Sequence, residues 1–399
     1  MSADRPVTRR DALQVIAASG VAAGVIGAGC GDRTQANAAS EEPAMTASTP
    51  TPSNTTPAPV VGGDAVTAIK KLGFMWETRD PFLFCVHHDD RYPKANAQFG
   101  PDASLAGRRL GNDFEVKDGF RMYHGEVVPG FPAHPHRGFE TVTVVRDGLM
   151  DHADSMGASA RYGGGDTQWL TTGKGIMHAE MFPLLDREAG NRVELFQIWL
   201  NLPKRNKMVT PYFAMLWRET IPHHVVKDAN GTETTLTVIA GRYEDVRAPA
   251  PPPDSWASQP EGDVAIWTLK MAPNARFTLP AAKAETLRSL NFFAGSAMTV
   301  GGKALPSYHQ AELRGDAEVT LQNGPDAAEL LMLQGRPIGE PVARHGPFVM
   351  NTQEEIRTAF SDYRRTQFGG WPWDRNDPVH GADDTRFARH ADGREDKPA

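Results

Sequence analysis

The 399 residues carry a net charge of −7, 40% apolar side chains, 38 glycines and 31 prolines. That acidic balance excludes the basic face that a nucleic-acid surface requires, and the wealth of turn formers argues against long helices. Two cysteines, Cys30 and Cys85, are too few for a Cys-rich zinc or iron–sulfur site.

At the start of the chain, "TRRDALQ" (Thr8–Gln14) sets paired arginines before an uncharged run, Ala12 to Gly29. A membrane span needs about 20 apolar residues. A basic flank followed by a shorter apolar run instead describes a secretory signal, and Arg9-Arg10 points to the twin-arginine route. We therefore expect a twin-arginine signal peptide over residues 1–38. Two processing outcomes stay open. Gly29-Cys30 resembles a lipobox, although Gly27 stands where a leucine is usual, so Cys30 is a candidate for lipidation. "ANAAS" (Ala36–Ser40) offers a small-residue cleavage site instead. Cys85 then has no intramolecular partner and reads as a small apolar core residue. Residues 38–63 are rich in Ala, Ser, Thr and Pro without apolar periodicity, the composition of a disordered tether. The expected location is periplasmic, or outside the cytoplasm on a membrane anchor.

Beyond residue 64 the chain falls into short apolar runs separated by Gly, Pro, Asn and Asp. Examples are "ETVTVV", "ELFQIWL", "TTLTVIAG", "VAIWTLKM" and "LLMLQG". Their β-branched and aromatic content predicts an all-β sandwich or barrel. No helical pattern separates the runs, so parallel βαβ units are not expected. "RAPAPPPDSWASQPEGD" (Arg247–Asp263) carries five prolines, which cannot sit in a central strand. We therefore expect one domain over 64–246, a linker over 247–262 and a second domain over 262–350. Residues 351–399 should form an amphipathic helix within Asn351–Phe368, capped at its start. A local aromatic anchor, "GGWPWD", and a frayed polar tail should follow.

One constellation carries chemistry. In "GFPAHPHRGFETVTVV" (Gly130–Val145), His134 and His136 stand two apart on a predicted strand and so share a face, while Pro135 points away. In "TTGKGIMHAEMF", His178 and Glu180 have the same spacing. Together they present three imidazoles and one carboxylate to one interior. That set suits a borderline divalent metal and leaves coordination positions open. The adjacent pairs His87/His88 and His223/His224 face opposite ways on a strand and read as surface or satisfied polar positions. The second domain has no His-x-His, only His309 and His345.

These stretches resemble the two cupin motifs. "HPHRGFETVT", "GDTQWLTTGKGIMHAEM", "FQIWLNLP" and "ARHGPFVMNTQEEI" make residues 72 to 370 similar to pirin and the bacterial pirin-like bicupins. The resemblance implies two tandem cupin domains of double-stranded β-helix (jelly-roll) type with a short C-terminal helix. Metal is implied in the first domain only: Fe(2+) on His134, His136, His178 and Glu180. Glu140 shares the parity of His134 and His136. In most cupins the glutamate at this slot ligates the metal, whereas the pirin pattern implies Glu180 as ligand and Glu140 beside it. Other divalent metals fit the same ligands. The resemblance further implies a quercetin 2,3-dioxygenase type of reaction on a small flavonol-like aromatic with O₂. Glu180 is the candidate catalytic residue, either leaving the iron or taking the substrate proton as general base. The alternative is a redox-sensing iron protein that acts through a partner surface. We expect a monomer, no nucleic-acid partner, and a lipid anchor if Cys30 is modified. An export signal departs from the mostly intracellular habit of pirins.

Overall fold

The computed structural model describes Val60–Val61 and residues 65–399. The expected signal peptide, Cys30 and the tether up to residue 59 lie outside the described residues. Among the described residues the architecture is all-β, with one α-helix of 14 residues, α1 (Gln353–Thr366).

Two antiparallel sandwiches are built. The first uses β1 (Phe82–Tyr92), β2 (Gly130–His136), β3 (Phe139–Asp147), β4 (Leu149–Asp154), β5 (Ser159–Gly163), β6 (Thr167–Thr171), β7 (Ile176–Met181), β8 (Asn191–Asn201) and β9 (Tyr212–Leu216). One of its sheets runs β9-β6-β3-β8-β1, with Met75–Trp76 at the edge. The other runs β2-β7-β4-β5 and continues into Phe387–Arg389 and Glu395–Asp396. The second sandwich pairs a seven-stranded sheet with a five-stranded one.

The division between them does not fall at the proline-rich segment. Val66–Lys71, His223–Lys227 and Glu233–Ala240 all precede residue 247, yet all three join the seven-stranded sheet of the second sandwich. A strand goes where an unpaired sheet edge needs its backbone partners, and that choice is invisible to composition. Nor is the linker a free spacer. Trp256 is buried, and its Nε1 donates to Arg336 O at 2.8 Å. Val60–Val61, expected within the tether, pairs in parallel with Ala317 and Glu318.

The sandwiches join face to face through an apolar layer that includes Trp76, Phe196, Ile198, Ile266 and Leu331. Cys85 lies in that layer, fully buried, and burial pushes its thiol up. Helix α1 starts from a capping box: Thr352 accepts from the Glu355 amide while Glu355 reaches back to the Thr352 amide. Its apolar face (Ile356, Ala359, Tyr363) packs on Ala133 and Met177. Those residues are the outward neighbours of His134 and His178, so the helix braces the strands that carry the histidines.

The tail is not frayed. Phe387–Arg389 pairs with β5, Trp373 Nε1 donates to Asp154 O at 2.8 Å, and the Ala133 amide donates to Asn376 O at 2.7 Å. Two sheet edges with unpaired backbone groups capture a segment whose own composition is polar.

Candidate metal centre

Strands β2 and β7 are neighbours in register, with His178 opposite His134 and Ile176 opposite His136. On its other side β7 pairs with β4, which sets Glu180 opposite His152 and His178 opposite Asp154. Residues paired across an antiparallel ladder point to the same face, so the inward face gathers His134, His136, His152, His178 and Glu180. Gly130 begins β2 at φ +128°, and a Cβ there would lie 2.5 Å from Glu180 O, so only glycine lets β2 approach β7 at that point.

Ligand atoms of His134, His136 and His178 lie within 4.8 Å of one another. His134 Nδ1 lies 2.9 Å from Pro132 O, a bond that assigns the proton to Nδ1 and leaves Nε2 its lone pair. His134 Nε2 stands 3.1 Å from His136 Nε2. Two imidazole nitrogens each 2.0–2.1 Å from one ion and at right angles would stand about 3 Å apart, so this separation is that of adjacent ligands. His178 is fully buried, and neither ring nitrogen has a hydrogen-bond partner. A buried polar atom without a partner is costly, and an ion among the three rings would satisfy it. Burial also lowers His134 to about 4 and pushes His136 and His178 well below the usual imidazole value. All three are therefore neutral, the form that binds metal.

Glu180 stands beside the triad. Its Oε2 is 3.7 Å from His178 Nε2. Gln197 Nε2 donates to both carboxylate oxygens at 3.1 and 3.0 Å, and Thr143 Oγ1 lies 3.2 Å from Oε1. Burial raises the Glu180 carboxyl, opposed by His152, Gln197 and Thr143. Aromatic rings surround the imidazoles. Trp199 lies 5.2 Å from His136 between ring centres, and Phe131 lies 6.3 Å from His134 and 5.7 Å from His124.

Residues 66–200 match the Pirin family and residues 266–369 match the pirin C-terminal cupin domain. The chain belongs to the pirin family. It is 34% identical to Pirin of Homo sapiens over 63% of this chain and 81% of that one. It is 36% identical to a Pirin-like protein of Caulobacter vibrioides over 61% and 82%. A Pseudomonas aeruginosa protein provisionally named quercetin 2,3-dioxygenase is 36% identical over 60% and 79%. Among solved structures, quercetin 2,3-dioxygenase from Acinetobacter baumannii superposes with a TM-score of 0.61 at 25% identity, over 78% of this chain and 99% of that one. Every residue of the triad lies inside the first matched pirin segment.

For a pirin of this geometry, Glu140 is not at the centre. Along β3, Val142 and Val144 face the layer between the sandwiches, whereas Thr143 faces Glu180. Glu140 shares the parity of Val142. It accepts from Thr171 Oγ1 at 2.6 Å and from Ser255 Oγ at 2.5 Å. The parity argument fails because the chain leaves one sheet for the other at Arg137-Gly138. Gly138 has φ +87°, and a Cβ there would lie 2.0 Å from Val349 O. Alternation does not carry through such a corner. His87, His88 and His223 are satisfied elsewhere, by Glu194, Tyr123 and Thr237. Sequence reasoning missed Gln197, Thr143 and His152. A lone polar residue inside "LFQIWL" and the two-residue spacing in "DHAD" were the available signals.

Proposed function

We propose that this pirin holds ferrous iron on His134, His136 and His178 with Glu180 as fourth ligand, and cleaves a flavonol-like aromatic with dioxygen. The observation that carries this reading is the cluster of three buried, neutral imidazoles beside a carboxylate steadied by Gln197 and Thr143. The similarity to proteins named quercetin 2,3-dioxygenase supports the choice of reaction. When bound, the iron supplies Lewis acidity toward a substrate hydroxyl and one-electron chemistry toward dioxygen.

The chain's own residues do the rest. Glu180 takes the proton of the flavonol 3-hydroxyl as general base. The two Gln197 contacts keep its oxygens turned toward His178. Phe131 and His124 stand edge to face beside His134, aromatic surfaces on which substrate rings could pack. Arg9-Arg10 and the apolar run behind them support export of the mature protein, to be checked by fractionation of wild type against a double lysine variant.

The decisive test is metal analysis of protein purified without added metal, followed by oxygen uptake with quercetin. Near-stoichiometric iron and saturable uptake are expected, with both lost in His136→Ala. Uptake unchanged in that variant overturns the reading. Iron that cycles its oxidation state without any uptake would identify a redox-responsive binding protein instead.

A further inference from the structure

The family match ends at residue 369, and the chain beyond it builds something of its own. At the flank of the first sandwich lies a cavity of about 180 Å³. Its floor is apolar and buried, formed by Leu170, Ile176, Ala158 and Phe213. Its rim on one side is the tail: His390, Asp392 and Arg394. The tail segment is held rigidly. The His390 ring stacks on Phe213 at 4.5 Å and 13°, and the backbone closes a turn from Arg394 O to the His390 amide at 2.8 Å.

The polar groups around this cavity are already engaged. His390 Nε2 lies 2.6 Å from Asp396 Oδ2, Arg394 pairs with Asp396, and Asp392 accepts the Arg394 amide. Asp154 accepts the Met156 and Ala158 amides on Oδ1 and faces His152 with Oδ2. The charged groups on the rim are thus paired with one another or with backbone amides. An enclosed apolar cavity of roughly 150 Å³ holds benzene or xenon; this one has a similar volume but is open on one side. It is separated from the triad by rings: Phe213 lies 5.5 Å from His152, which lies 5.6 Å from His178.

We propose that this cavity is a second ligand site, built by the C-terminal tail, for a neutral apolar molecule of about single-ring size. It does not depend on the metal.

The test uses the full chain, as purified and after EDTA, with benzene as probe and methyl NMR as readout. Saturable shifts are expected at the methyls of Leu170, Ile176 and Ala158, at the same benzene concentration with and without EDTA. Crystals under xenon should show xenon in the cavity. Ala391→Trp, at an exposed position on the rim, should weaken benzene about tenfold with an unchanged melting temperature. His390→Ala, which removes the stacked ring, should also change the affinity. No saturable shift together with no xenon overturns the proposal. So does a response lost on EDTA treatment, or one centred on Ala179, between His178 and Glu180, rather than on the cavity floor.

Discussion

In the second sandwich the inward positions of Glu233–Ala240, Ala265–Met271 and Leu287–Ala294 are Leu236, Val238, Trp267, Leu269, Leu290 and Phe292, all in one apolar cluster. In the first, β2, β4 and β7 turn His134, His136, His152, His178 and Glu180 inward instead. The strand framework is the same kind in both, so the framework alone does not make a site. What differs is whether each inward position is occupied by a side chain that fills space or by one that needs a partner. The first sandwich meets those needs with Gln197, Thr143 and the Pro132 carbonyl, and leaves His178 for an ion.

Four measurements would break or sharpen that contrast. The largest expected effect is Phe292→Ala, which removes a fully buried ring from the filled interior and should cost about 3–5 kcal/mol in urea unfolding. His178→Ala in metal-free protein should cost far less, because it deletes a ring with unsatisfied nitrogens. Equal losses would erase the distinction between the two interiors.

Next comes Glu140, whose carboxyl burial pushes up from 4.5 to about 7. The folded chain then binds a proton more tightly than the unfolded chain. Its contribution to stability is full below pH 4.5, falls as pH rises through 4.5 to 7, and stays lower above that by roughly 3 kcal/mol. Glu140→Gln should flatten this profile, raising stability at pH 8 and changing it little at pH 5. A variant that keeps the wild-type slope would show that another group sets it.

Gln197→Ala should weaken metal binding by about tenfold if Glu180 is a ligand, the usual scale for losing a hydrogen-bonded neighbour of a ligand. Chelator competition and the spectrum of the bound ion would read it, with unfolding free energy as the control. The smallest effect is expected for Thr352→Ala, about 1 kcal/mol from loss of the helix cap. If α1 braces β2 and β7, the loss should appear in the first sandwich, as faster amide exchange at Ala133 and Met177.

Much of the site was legible because it is local. His134-Pro135-His136 and His178-Ala179-Glu180 each sit within one strand, and a period of two puts the three imidazoles and the carboxylate on one side. Glu140 was misplaced because its parity was counted through a corner where the chain changes sheets at Gly138. Gln197 and Thr143 were not found because their role exists only where β3 and β8 face β7. The tail was misjudged because its polar residues find backbone partners on β5 and β2 rather than an apolar core.

The amino-acid sequence by itself determined the all-β class, the capped helix, and the two histidine-bearing strands with their shared face, since each follows from alternation or capping over a few residues. Tertiary structure alone decided which sandwich each early strand joins, which glutamate stands beside the imidazoles, and that the last thirty residues close a cavity. Those outcomes depend on which sheet edge, corner or neighbouring strand meets a residue from far along the chain, and contacts between distant residues leave no periodic trace in the sequence.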